Sequence, residues 1–341
     1  MVFYKCNNCN KKWQQPVSIC PFCFSKLERI RTEKLKVIAS SKVVIPSLLH
    51  PKIPYYALLI EDECGNKFAY KSMKDRRVGD SLEFASSDNR DAVVIWKANY
   101  DLLDAIENIV KLAKLEIRKD SKILVLPTLV EPVHNHFHEN TSLEFLDAIL
   151  TYLENVGVRK IKIATQSLSD KPIEILAQKS GLLDVCIKHK LTPFDLANSG
   201  FDNQGSIHIS REVKENDLLL NLSALKSGKS SSNENAMRLI EKSNYEALRY
   251  LYSEEYIFKA LSSIDNMFIF GEAIHPQRTD KFPVFRSLIF GSRNPVNLDA
   301  VFNNTGMVNN LPKYLRDTKV DQIKIIGREI DEVKRNIDLI L

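Results

Sequence analysis

No apolar run in the 341-residue sequence approaches the roughly 20 residues that a membrane-spanning helix requires. The first residues, Met1 to Cys6, contain no apolar signal-peptide core and lead straight into a cysteine motif. The expectation is a cytoplasmic protein that does not enter a membrane. Glycine is scarce, at 11 residues, and there are only six cysteines, too few for a disulfide scaffold in a chain this long. Nor is the composition that of a disordered chain. Hydrophobic residues make up 44% and charged residues 27%, ordinary globular values, and the length favours two or three domains over one.

Charge of one sign is also lacking overall, since the formal net charge is only +5. Its distribution is uneven. Residues 1–85 hold 15 Lys and Arg against 8 Asp and Glu, a surplus of +7; the rest of the chain holds 33 against 35, or −2. A mildly basic N-terminal part suits an anionic partner such as RNA or a phosphate-bearing cofactor, and a solvated Lys-rich surface gives the same count.

Four of the six cysteines form two matched pairs: Cys6-x2-Cys9, ten residues, then Cys20-x2-Cys23. Two residues between cysteines let one tight turn aim both sulfurs at a single ion, and two such turns complete a tetrahedron. Pro21, next to Cys20, suits a rigid turn. The pattern predicts a structural zinc site, with iron in the same four-thiolate geometry as the competing metal. Cys64 and Cys186 have no matched neighbours and read as ordinary residues.

Short β-branched and aromatic runs follow at 35–39, 42–45, 55–60, 67–70 and 82–84, with turn residues around Gly65 and Gly79. They predict a small antiparallel barrel. Tyr55, Tyr56, Phe68 and Tyr70 lie among Lys67, Lys71 and Lys74, which would serve either as a base-stacking platform or as barrel core. The cysteine ribbon, the segment from His50 to Ile60, Gly65 and the Val78-Gly79-Asp80 turn together resemble domain-of-unknown-function family 35. That resemblance covers residues 1–85 and implies a rubredoxin-like zinc ribbon joined to an OB fold. It further implies an accessory or scaffold role beside thiolases and related acyl-CoA enzymes.

From residue 92 the pattern changes. Apolar strands at 92–96, 123–126, 161–164, 218–222, 267–270 and 287–290 alternate with helical periodicity at 101–117, 141–156 and 173–180, and a further helix is expected from Asn233. Ser142 or Thr141 would start the second helix, and Gly181 would stop the third. Such alternation predicts a layered, mostly parallel α/β sheet. The expected organisation is a zinc ribbon at 1–33, an OB-fold domain at 34–85 and an α/β domain at 92–341. The last resembles domain-of-unknown-function family 362 in four blocks: 123–129, 220–226 with Lys226, 294–301 with Asp299, and the closing 322–327. The family pattern departs at Thr128, at Ser227-Gly228 and at Asn294, which leaves a binding-only domain as one implication.

Parallel sheets place ligands beyond the carboxyl ends of their strands. Four polar segments, 127–139, 223–232, 271–278 and 291–299, are expected to gather there as loops. They would set Lys226, Lys229, His275, Arg278, Arg293 and Asp299 on one rim, together with His134 and His136. Cations dominate that set, so a small anionic molecule is the expected ligand. Lys226 and Lys229 also precede a predicted helix N-terminus, where amide donors favour phosphate. A phosphate-cradling NTPase loop is disfavoured, because Ser223 stands where its first glycine belongs. His134, His136 and His138 alternate along the chain, so three imidazoles could converge on a second metal. The favoured function is a zinc-binding accessory protein whose head binds an acyl-CoA enzyme or its cofactor. RNA binding by the basic head and an enzyme of unknown reaction centred on the α/β domain are the alternatives.

Overall fold

The structure is a computed structural model that describes residues 2–15, 17–47, 49–98, 101–130, 132–133, 138–168, 171–229, 231–251, 254–277, 284–308 and 311–335. The N-terminal strands are β1 (Val2–Cys6), β2 (Lys12–Trp13) and β3 (Leu27–Arg31), and β1 pairs antiparallel with both of the others. A second antiparallel sheet follows, of β4 (Leu35–Val43), β5 (Tyr55–Asp62) and β6 (Lys67–Ser72), in that order. Two strands were expected in place of β4. They form a single nine-residue strand, with a register shift between Val37 and Ala39. The expected strand at 82–84 is absent, and only an isolated bridge from Ser81 to Lys36 marks that point. Leu35, Val37, Leu58, Ile60, Phe68, Tyr70 and Leu82 form the small core of this sheet.

The next elements are β7 (Val93–Lys97), α1 (Leu102–Leu112), β8 (Lys122–Pro127), α2 (Leu143–Val156), β9 (Lys160–Thr165), α3 (Ile173–Ser180), α4 (Leu182–Lys188) and β10 (Pro193–Asp195). A small hairpin of β11 (Phe201–Gln204) and β12 (Ile207–Ser210) leads through α5 (Glu212–Glu215) into β13 (Leu218–Lys226). Then come α6 (Ser231–Ala236), α7 (Lys242–Leu251), α8 (Glu254–Ser262), β14 (Met267–Gln277), β15 (Leu288–Ser292), α9 (Pro295–Thr305), α10 (Lys313–Asp317), β16 (Ile325–Gly327) and α11 (Ile330–Val333). Eight strands form one sheet in the order β10-β9-β8-β13-β14-β15-β7-β16. All neighbours pair parallel except at β15, which runs antiparallel to both β14 and β7.

The strand sequences explain the layering. Strands covered on both faces carry near-continuous apolar runs, and successive side chains alternate between faces. Ile123 and Val125 of β8, with Leu218, Leu220 and Leu222 of β13, join the core under α1 to α4. Leu124, Leu126, Leu219 and Leu225 join the core under α6 to α9. Helix boundaries follow local chemistry. Ser142 caps α2 by accepting from the Phe145 amide, and Gly181 ends α3 at φ 85°, a left-handed conformation that costs glycine no Cβ clash. Gly291 permits a close approach, since a Cβ there would lie 2.4 Å from Ile109 of α1.

The small sheets pack on the large one through ion pairs. Arg29 and Arg31 of β3 reach Glu107 on α1 at 2.9 and 2.6 Å, and Arg29 also contacts Asp101 at 3.2 Å. On the other small sheet, Arg328 lies over the Tyr70 ring at 3.7 Å, and Lys71 donates to the Asp331 carbonyl.

Candidate functional site

The four cysteines converge as their spacing predicts. Their sulfurs all lie within 4.8 Å of one another; Cys6 and Cys23 are 3.3 Å apart, and Cys9 and Cys20 3.5 Å. A tetrahedral ion with metal–sulfur bonds of about 2.3 Å has sulfur–sulfur edges of about 3.8 Å, so the donor set fits a bound metal. Both turns share one construction. The Asn10 amide donates to the Cys6 carbonyl and the Phe24 amide to the Cys20 carbonyl, each at 2.9 Å. The Cys6 amide is bound by the Lys11 carbonyl and the Cys20 amide by the Ser25 carbonyl. Asn10 (φ 56°) and Phe24 (φ 57°) both adopt the left-handed conformation that folds each turn back on its sulfurs. Hydrogen bonding from Ser25 holds the Cys23 thiol down to about 6, while, against the Lys11 backbone hydrogen bond, burial and its cysteine neighbours push the Cys9 thiol up to about 12, so without an ion the four thiols share their protons unequally. The ribbon surface bears exposed apolar side chains, Ile19, Phe22 and Phe24, and the chain between β4 and β5 exposes Val44, Ile45, Leu49 and Ile53.

The expected stacking platform is largely closed. Phe68 and Tyr70 are core residues, Lys71 and Lys74 contact Asp331 and Glu329, and burial pushes the Tyr70 hydroxyl up to about 12.

At the carboxyl edge of the large sheet, the segments expected as loops at 223–232 and 271–278 are mostly strand. β13 runs on to Lys226 and β14 to Gln277, and these two residues pair across the ladder after a register shift. The Lys226 ammonium pairs with Glu139 from the segment after β8. Burial works against the Glu139 charge, but the Lys226 hydrogen bond and charge outweigh it and hold the carboxyl below its usual range. Glu272, fully enclosed, accepts the Ser142 amide at 2.9 Å; desolvation pushes its pKa up to about 7. His275 stacks on His138 at 4.5 Å between ring centroids, and burial lowers its pKa. The crevice that His138, Asn140, Ala224, Leu225, Glu272 and His275 enclose has a volume of about 10 Å³, room for roughly one water molecule. The cluster holds one carboxyl titrating near neutrality beside two stacked imidazoles, without space for a substrate.

The remaining predicted residues are dispersed. Asp299 lies on α9, fully buried, and its carboxylate accepts the Ser232 amide at 3.1 Å and the Asn233 amide at 3.4 Å. Asn303, one turn later, accepts the Gly228 amide at 2.8 Å and donates to the Lys229 carbonyl at 3.0 Å. Helix α9 therefore holds both the turn at Gly228 and Lys229 and the first turn of α6. Amides expected to cradle an external anion are taken by the protein's own carboxylate. By strand alternation Lys226 points to the α1–α2 face, where Glu139 meets it, whereas Asp299 lies on the α6–α9 face. Lys229 is exposed. Arg293 follows the antiparallel strand β15 and so sits at the opposite edge of the sheet, where it donates to the Ala113 carbonyl at 3.3 Å. One rim therefore does not hold all four segments. Arg278, His134 and His136 lie outside the described residues. Glu139, Glu272 and Gln277 were missed as site residues. Glu272 and Gln277 flank His275 on a strand whose polar end the sequence marks as loop.

No family model matches the sequence, and no curated protein does. Among solved structures, one match is the Ltp2-ChsH2(DUF35) aldolase, at 19% identity over 26% of this chain and 76% of that chain, with a TM-score of 0.21.

Proposed function

We propose that this protein is a zinc-binding accessory or scaffold protein with three units: a zinc ribbon at 1–33, an OB-fold unit at 34–85 and an α/β unit at 92–341. The observation that carries this reading is the four-thiol cluster of Cys6, Cys9, Cys20 and Cys23. Four protein donors satisfy zinc completely and leave no coordination position for a substrate, so the ion's role is to hold the ribbon together. The head then binds an acyl-CoA enzyme of thiolase-like type, or its cofactor. Support for that partner comes from the sequence resemblance over residues 1–85 and from the apolar side chains exposed on the head, Phe22, Phe24 and Ile45 among them. The α/β unit, with its resemblance to family 362, binds a small anionic ligand.

Affinity purification of the tagged protein from its host tests the partner. An acyl-CoA-handling enzyme should be recovered in stoichiometric amount and lost from the Phe24→Ser, Ile45→Ser double variant. Recovery of no such enzyme, or equal recovery with the double variant, contradicts the partner assignment. A second reading, an enzyme centred on the large sheet, is favoured by Glu272, His138 and His275 at the strand ends.

A further inference from the structure

A second concentration of positive charge lies away from the rim expected at the strand ends, and of its five cations only Lys71 was singled out in the sequence. It surrounds a cavity of about 300 Å³ between the β4–β6 sheet and the end of the large sheet at β7 and β16. That volume is at the small end of the range for ligand pockets, about 300–1,000 Å³. Lys71 of β6, Lys97 of β7, Arg286, Arg328 and Arg335 all line it. They come from four separate stretches of chain, so only the assembled fold brings them together.

The acidic residues of the cavity do not balance these cations. Asp101 accepts the Tyr4 hydroxyl and pairs with Arg29, while Asp104 faces Arg31, so both answer to the ribbon. Glu332 lies 3.7 Å from Arg328, and its carboxyl is raised by burial. Lys97 has no hydrogen-bond or ion-pair partner for its ammonium among the described residues. Arg286 is 2% exposed and its Nε has no partner, although its other nitrogens donate to Thr305 and to the Val333 carbonyl. A buried guanidinium with an unused donor is costly unless an acceptor completes it, and the exposed Lys97 ammonium adds a further positive charge to the same cavity. Arginine forks match phosphate oxygens in pairs, and lysine adds point charge.

We propose that this cavity binds a small polyanion of the diphosphate class, an inorganic diphosphate or a metabolite that carries one. The volume of about 300 Å³ favours a small molecule over a nucleic acid strand. Burial lowers the Lys97 pKa first, and the charges of Arg328 and Arg335 lower it further; the Arg286 guanidinium is pushed down to about 9 by burial and by Arg335. Each shift is in the direction expected of cations that repel one another with no counterion between them.

The test uses inorganic pyrophosphate on the full, metal-loaded chain, with metal content checked before and after, read by titration calorimetry and thermal unfolding. The wild type should bind pyrophosphate and gain thermal stability. Lys97→Met should bind about tenfold more weakly or worse, as expected for one charge-assisted bond. It should also melt higher than the wild type when no anion is present, because one repelling charge is gone. A purely structural role for Lys97 predicts the opposite sign. Lys179→Met on α3, which does not line the cavity, should bind as the wild type does. Absence of pyrophosphate binding, equal binding by Lys97→Met, or citrate binding as tight as pyrophosphate would each overturn the proposal. None of these outcomes bears on the thiol site or its metal.

Discussion

Replacing Asp299 by Asn tests whether its contact with the first turn of α6 is a latch or a ligand cradle. In the latch, both carboxylate oxygens of Asp299 accept the Ser232 amide at 3.1 Å, and one also accepts the Asn233 amide at 3.4 Å, with no exposure to solvent. Hydrogen bonds to a charged group contribute about 1.5–3 kcal/mol each, and a buried donor left without its acceptor costs about 1–3 kcal/mol. Asparagine keeps the shape and one acceptor oxygen but turns an NH2 group toward backbone donors. The expected loss is about 2–4 kcal/mol of unfolding free energy, one charged bond lost and one donor stranded. Urea denaturation followed by far-UV circular dichroism, and by the fluorescence of Trp96 within β7, would measure it. A loss below about 0.5 kcal/mol, the range of ordinary surface substitutions, would refute the latch. Together with a changed affinity for phosphate, it would return Asp299 to a ligand site.

Glu272 makes the stability pH-dependent with a definite sign. Its folded pKa is raised to about 7, above its value in the unfolded chain, so between about pH 4.5 and pH 7 the native state binds more protons than the unfolded state. Stability should therefore fall as pH rises through that window. Glu272→Gln should abolish a slope worth roughly 3 kcal/mol in total, measured as the difference between the two proteins' denaturation profiles. A parallel pair of profiles would show that Glu272 is not desolvated as described. At the ribbon contact, Glu107→Gln removes the charge that Arg29 and Arg31 share at 2.9 and 2.6 Å. It should destabilise the docked ribbon by about 2 kcal/mol and raise amide exchange across β3, with exchange in β8 and β13 unchanged. Unchanged exchange in β3 would count against that contact as the tie between ribbon and sheet.

The cysteine pairs and the strand starts were legible because their signals are local. A two-residue spacing forces a turn, and a run such as the one at 123–126 is long and apolar enough to mark a strand. Strand ends were not legible. β13 continues through Ser223 to Lys226 and β14 through Glu272 to Gln277, polar residues that read as loop, because the partner strand supplies their hydrogen bonds from about fifty residues away. Strand direction is equally non-local. Nothing within residues 288–292 distinguishes a parallel from an antiparallel strand, yet the reversal of β15 carries Arg293 to the far edge and separates it from Lys226. Asp299 was noticed as a strand-end acid, but its burial against Ser232 depends on how α9 packs, which no spacing encodes. Of the junction cavity only the Lys71 side was visible in the sequence, since its other cations come from distant segments.

The central claim is that the thiols of Cys6, Cys9, Cys20 and Cys23 hold one structural zinc ion, and native mass spectrometry with elemental analysis of the host-purified protein tests it most directly. The expected result is one zinc per chain, lost together with the exchange protection of residues 2–31 when Cys9→Ser and Cys20→Ser are combined, while the large sheet stays folded. Metal-free protein with four freely titratable thiols and an intact ribbon would contradict it.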